Sequence, residues 1–159
     1  MTKPRQQDAP PVVEHVSDDT LRQFVGYHVK RAMNVIQGDL AKTLRPFDLR
    51  MVTYSALVLI VDNPGLRQSQ LATAMDVERP NLVVIIDELE RRDLILREKV
   101  PTDRRAYALM PTLAGRQLCD KAIAAVKAHE ARLLAGLAPP EIKEVVRALS
   151  QIELRGSEE

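Results

Sequence analysis

The stretch from Gly65 to Gly115, GLRQSQLATAMDVERPNLVVIIDELERRDLILREKVPTDRRAYALMPTLAG, constrains the chain more than any other. Arg67 to Met75 reads as two turns of helix with Leu71, Ala72 and Met75 inward, and Asp76-Val77 as a tight turn. Glu78-Arg79-Pro80 opens a second helix, since proline suits a first helical turn, where an amide hydrogen has no partner to lose. Leu82-Val-Val-Ile-Ile86 alone fits a buried strand equally well. The continuation Asp87-Glu-Leu-Glu-Arg-Arg92 decides for helix: Leu82, Ile85, Ile86 and Leu89 fall at helical spacing, and the tail is rich in helix formers. Asp93 stands where the helix must stop, and Asp tolerates the left-handed conformation better than most residues. Leu94–Val100 and Arg105–Met110 read as strands around a Pro101-Thr102-Asp103-Arg104 turn. Helix, turn, helix and hairpin in that order make a winged helix-turn-helix.

The flanks read as scaffold. Residues 1–16 are polar and proline-rich and are expected to form a flexible arm whose Lys3 and Arg5 are offset by Asp8 and Glu14. Ser17 is read as the cap of a helix with Phe24, Val25, His28, Ala32, Val35, Ile36 and Leu40 on one face, ended by Pro46. Asp48 is read as the cap of a second helix, apolar on most faces, that ends before Asn63-Pro64-Gly65. Thr112 caps a long helix carrying Leu118, Cys119, Ala122, Val126, His129 and Leu133, and a last helix runs from about Glu141 to Leu154. The expected fold class is therefore mainly α with a small β-hairpin wing. The expected organisation is an arm (1–16), scaffold helices (17–62), the winged module (63–111) and C-terminal helices (112–159), within one domain.

Composition narrows the function. Hydrophobic residues are 45% of the 159, aromatics only 3%, and net charge is +1, so any nucleic-acid contact must come from a local patch. One exists: Arg91 to Arg105 holds six basic and three acidic residues. A helix that enters a DNA major groove needs a polar N-terminal face and an apolar back. Arg79, Asn81 and Gln68 supply that face. A wing needs cationic tips to meet phosphate or the narrow minor groove, and Arg104 and Arg105 sit there, with Arg97 and Lys99 on the adjoining strand. Pairing to Asp93, Glu98 and Asp103 is the alternative role for these cations. The single cysteine, Cys119, leaves no intrachain disulfide and agrees with a reducing cytoplasm. The longest apolar run is far too short to span a membrane.

These residues resemble the MarR (multiple-antibiotic-resistance regulator) transcription factors. The similarity is carried by Arg67-Gln-Ser-Gln-Leu-Ala72, Arg79-Pro-Asn-Leu82, Asp87-Glu-Leu-Glu-Arg-Arg-Asp-Leu-Ile95, the wing Asp103-Arg104-Arg105, and Leu109 with Thr112-Leu-Ala-Gly115. The resemblance implies an obligate homodimer built by interlocking terminal helices, a pseudo-palindromic double-stranded DNA operator, and repression released by a small molecule. It implies DNA contact from Arg67, Gln68, Ser69, Arg79, Pro80, Asn81, Arg104 and Arg105, with Asp103 holding the wing. Val83-Val84 departs from the Thr-Arg that members often carry there. Two aliphatic side chains make no bidentate contact but can touch a thymine methyl, which shifts base reading toward Arg79 and Asn81. Apolar stripes such as Val145, Val146, Leu149 and Ile152 also ask for a second copy, because a monomer rarely leaves so much apolar surface exposed.

His28, Arg50 and Tyr54 are polar groups among apolar neighbours and are candidates for an effector cleft; packing alone also accounts for His28 and Tyr54. The resemblance implies aromatic acids, phenols or their thioesters as effectors. Cys119 is the candidate for a redox-responsive variant, although a buried inert thiol is the expected role. No residue pattern suggests an enzyme, a metal site or a cofactor. A winged-helix protein-interaction module without DNA binding is the reading from another class.

Overall fold

In the computed structural model, residues 15–100 and 103–156 are described, and of Val100 and residues 103–106 only the backbone. The arm expected over 1–16 thus lies almost wholly outside the described residues. Two compact units divide the chain, Met1–Val35 and Ile36–Glu159.

The first unit holds a 3-10 turn at Leu21–Gln23 and the opening turns of α1 (Val25–Leu44), the helix that continues into the second unit. Ser17 does not cap α1, contrary to expectation. Phe24 is extended (φ −107°, ψ 130°) and separates the 3-10 turn from the helix. The reason lies in Asp18. Its carboxylate accepts from Tyr27 Oη at 2.5 Å and from Arg22 Nε at 2.7 Å, which folds the segment back on the start of α1. These two donors hold the Asp18 carboxyl below its ordinary range, Tyr27 more than Arg22.

In the second unit the core is aliphatic, as a chain without tryptophan requires. After α1 a 3-10 turn at Arg45–Phe47 ends on Asp48, which takes the left-handed conformation (φ 52°, ψ 43°). Asp48 therefore stops one element rather than capping the next. The N-cap of α2 (Met51–Asp62) is Arg50, whose amide donates to Thr53 Oγ1 at 2.9 Å. Thr53, Ala56, Leu57 and Ile60 of α2 are buried, though Met51 faces outward. A two-residue strand, β1 (Leu66–Arg67), follows, and then α3 (Gln68–Met75) and α4 (Arg79–Arg91). Asp76, left-handed, makes the turn between the two helices, and Asp93, also left-handed, ends the segment after α4.

Strands β2 (Ile95–Val100) and β3 (Asp103–Pro111) form the wing, and the sheet order is β1-β3-β2, all antiparallel. Leu66 pairs with Leu109 and Arg67 with Ala108, while Arg97 pairs with Leu109 on the other side. The strand β1, unforeseen from the sequence, ties the start of α3 to the wing.

Thr112 caps α5 (Leu113–Leu133) by accepting from Gly115 N at 2.9 Å, while its hydroxyl donates to Asp93 O at 2.7 Å. Gly115 must be glycine, because a Cβ there would collide with the Leu94 carbonyl oxygen and stand 2.9 Å from its carbon. The helix α6 (Pro139–Gly156) has no buried residue; Val145, Val146, Leu149, Ile152 and Leu154 are all exposed. Among the described residues no helix is long and apolar enough to cross a membrane.

Candidate nucleic-acid interface

The two-sided character of α4 follows from its sequence period. Leu82, Ile85, Ile86 and Leu89 are buried, so the other side of the helix, with Arg79, Pro80, Asn81, Val83 and Val84, is left in solvent. Val83 is 44% and Val84 62% exposed, an unusual pair of aliphatic side chains for a free surface. Ser69 and Arg79 line one open groove of about 500 Å³ with Ala72, Thr73, Asp76, Val77 and Glu78, so the ends of α3 and α4 that carry the expected contacts are brought together. Arg67 and Ser69 are exposed and Gln68 is half-buried; the Arg67 amide donates to Gln70 Oε1 at 2.9 Å, fixing the start of α3.

The basic cluster divides into tied and untied members. Arg97 is 24% exposed and forms an ion pair with Asp87 of α4; its Nε lies 3.1 Å from Glu90 Oε2, without hydrogen-bond alignment. Arg92 donates to the carbonyls of Asp48 at 2.6 Å and Phe47 at 3.0 Å, anchoring the end of α4 to the turn before α2. Lys99, opposite Tyr107, is exposed, as is Arg91. Asp103, Arg104 and Arg105 belong to the backbone of β3; their side chains lie outside the described residues.

The three candidate effector residues each have local partners. His28, in the first unit, is exposed, with Nε2 2.8 Å from the Arg22 carbonyl. Arg50 forms an ion pair with Glu88 of α4 at the edge of a cleft shared with Ala41, Arg45, Asp48 and Leu49. Tyr54 is half-buried, and burial, then Cys119, Asp62 and Glu130, push its hydroxyl pKa up. Cys119 is fully buried, and burial first, then Asp120 and Asp62, push its thiol up to about 11. Such a thiol is protonated at neutral pH and is a poor target for oxidants. No group of three or more metal-ligating side chains is present among the described residues.

One polar arrangement escaped the sequence reading. His129 of α5 is only 3% exposed, and its Nδ1 lies 2.8 Å from Asp39 Oδ2 of α1. His129 borders a half-enclosed cleft of about 170 Å³, lined also by Ile36, Leu40, Val126, Glu130, Leu133 and Leu134. Asp39 and His129 are 90 residues apart, so only the inward position of a lone histidine on α5 hinted at it.

Known proteins resemble this arrangement throughout. The model of the MarR family matches residues 49–107. A putative transcriptional regulatory protein for the hcr operon of Thauera aromatica is 33% identical over 135 residues, which cover 84% of this chain and 81% of that protein. The transcriptional repressor CouR, solved bound to a 23-mer DNA duplex, is 33% identical with a TM-score of 0.84, over 88% of this chain and 99% of its own. CouR from Rhodococcus jostii RHA1, solved bound to p-coumaroyl-CoA, is 32% identical with a TM-score of 0.76, over 83% of this chain and 93% of its own.

Proposed function

The chain belongs to the MarR family of transcriptional regulators, and from that premise we propose that it is a homodimeric repressor that holds a pseudo-palindromic operator and releases it when a small aromatic effector binds. The observation that carries the reading is α4: an apolar back packed into the core, an exposed front of Arg79, Pro80, Asn81, Val83 and Val84, and a wing joined to it through Arg97. Arg79 and Asn81 read base edges, and Val83 and Val84 lie against thymine methyls, which gives their exposure a purpose. Pro80 sets the first turn. Arg67, Gln68, Ser69 and Lys99 meet backbone phosphates, and Arg104 and Arg105 reach phosphate or the minor groove at the wing, steadied by Asp103. Arg97 serves this site from behind rather than by touching DNA.

Residues 63–111 form the reading module, and 17–62 and 112–159 supply the helices that pair two copies. The exposed stripe on α6 supports this pairing, since five large aliphatic side chains on one helix are stable only when covered. Two-fold symmetry then sets the two α4 helices about one DNA turn, roughly 34 Å, apart. The CouR relatives, one solved on DNA and one with p-coumaroyl-CoA, support an aromatic acid or its acyl thioester as the effector. The protein works in the cytoplasm, without a cofactor and without a catalytic role.

The test is the double substitution Arg104→Ala with Arg105→Ala. Operator affinity falls at least about tenfold at matched salt and the salt slope shrinks by about 2, with the dimer intact. Unchanged affinity would remove the wing from the interface. A winged helix that serves only protein contacts would show no salt-dependent binding to the DNA upstream of its own gene.

A further inference from the structure

We infer that Val83 and Val84 form a reader of C5-methylated pyrimidines. They select the operator by burying the 5-methyl groups of thymines in two neighbouring base pairs, and at those positions 5-methylcytosine binds better than cytosine. The inference rests on the DNA reading above and deepens it by naming what the middle of α4 recognises.

Exposure comes first. Leu82, Ile85 and Ile86 are buried, so between Asn81 and Asp87 the front of α4 consists of Val83 and Val84. Arg79 and Pro80 stand one turn before them on the same face, and Asp87 and Glu88 one turn after. Free acids there would repel phosphate, but both are engaged within the protein. Asp87 pairs with Arg97 of β2, and Glu88 pairs with Arg50, the cap of α2. The valine pair is thus open to a partner, and the carboxylates beside it are offset.

The chemistry of the groove comes second. Valine offers no donor or acceptor, and the apolar group that base pairs present in the major groove is the thymine 5-methyl. Against cytosine the same side chain gains no methyl and crowds the N4 amino group, a donor it cannot satisfy. A 5-methylcytosine restores the methyl at the same ring carbon and keeps the amino group, so it ranks between thymine and cytosine. Spacing comes third. Consecutive Cα atoms lie about 3.8 Å apart and base pairs about 3.4 Å, so the two valines meet neighbouring base pairs. Val84, the more exposed, covers the larger part of its methyl.

The experiment titrates the full-length protein against synthetic duplexes of the site footprinted upstream of its own gene. Each thymine is replaced in turn by deoxyuridine, in both half-sites. Deoxyuridine keeps the pairing and O4 and loses only the methyl. Wild type loses about tenfold or more at thymines of two neighbouring base pairs in each half-site, since one buried methyl is worth about fourfold and the change is made twice. With cytosine placed at those positions, C5 methylation raises affinity several-fold. Val84→Ala brings the thymine-to-deoxyuridine ratio close to 1 at one of the two positions, and Val83→Ala does so at the other. Both residues are exposed and alanine is a strong helix former, so the variants fold. A wild type indifferent to deoxyuridine at every position, with salt-dependent binding kept, overturns the inference and leaves the DNA reading standing. A ratio that survives both substitutions also overturns it, and assigns the methyl effect to DNA shape. If no DNA from the upstream region binds in a salt-dependent way, both readings fail. Alanine variants that keep DNA affinity but change the oligomeric state would show the valines to be covered by protein, and would likewise overturn the inference.

Discussion

Arg97 offers the sharpest perturbation of the reading head. It stands in the middle of β2, paired with Leu109 of β3, and its guanidinium faces Asp87 and Glu90, one turn apart on α4. Its side chain is 24% exposed, that of Asp87 58% and that of Glu90 39%. The screening of such half-wet pairs limits each to less than a buried bridge contributes, so Arg97→Ala is expected to cost about 1–2 kcal/mol in all. The part shared with Asp87 is about 0.5–1 kcal/mol. Urea unfolding of wild type, Arg97→Ala, Asp87→Ala and the double variant measures that coupling directly. DNA binding supplies a second readout. If Arg97 touched a phosphate, its replacement by Ala would lower the salt slope by about 1; an intramolecular tie predicts weaker binding with the slope kept. Additivity of the two substitutions within about 0.3 kcal/mol, together with a reduced slope, would refute the reasoning and return Arg97 to the DNA surface.

Gly115→Ala forces its new methyl into the Leu94 carbonyl, backbone against backbone, and should destabilise by roughly 3 kcal/mol or more, seen as a fall in thermal midpoint that Gly136→Ala does not produce. Cys119 carries a pH dependence of definite sign. Its pKa rises from 9.0 to about 11 on folding, so the fold keeps the neutral thiol. Stability is intact below pH 9 and declines as pH rises toward 11, by at most about 3 kcal/mol, and Cys119→Ala should abolish that part of the alkaline loss in chemical denaturation. DNA binding by wild type and by Cys119→Ala should be equally insensitive to peroxide in a mobility-shift titration, since the buried thiol stays protonated.

The elements that sequence reveals best here are those whose signal is periodic and local. The α4 helix was legible because Asp87 to Arg92 broke the tie left by five aliphatic residues, and Asp93 was legible as a stop because so few residues accept a left-handed backbone. The strand β1 was not, since Leu66 and Arg67 become a strand only through pairing with Leu109 and Ala108, more than forty residues away. Asp48 shows a different limit: the same short acid that caps a helix also closes one in the left-handed conformation, and its neighbours Arg45 to Phe47 decided for the second. Ser17 failed as a cap because the Asp18–Tyr27 bond competes with helix formation, a side-chain contact invisible to spacing rules. Charge was legible as a patch but not as individual roles. Arg92 and Arg97 are absorbed by α4 and the turn before α2, and Asp39 meets His129 only in the folded chain.

The central claim is that two copies of α4 and the wing read a two-fold symmetric DNA site. Hydroxyl-radical footprinting of the full-length protein on the DNA upstream of its own gene tests it most directly. The account predicts protection in two patches about one helical turn apart, related by two-fold symmetry and lost as salt is raised. A single patch, or none at a protein concentration where the dimer is fully formed, would contradict it.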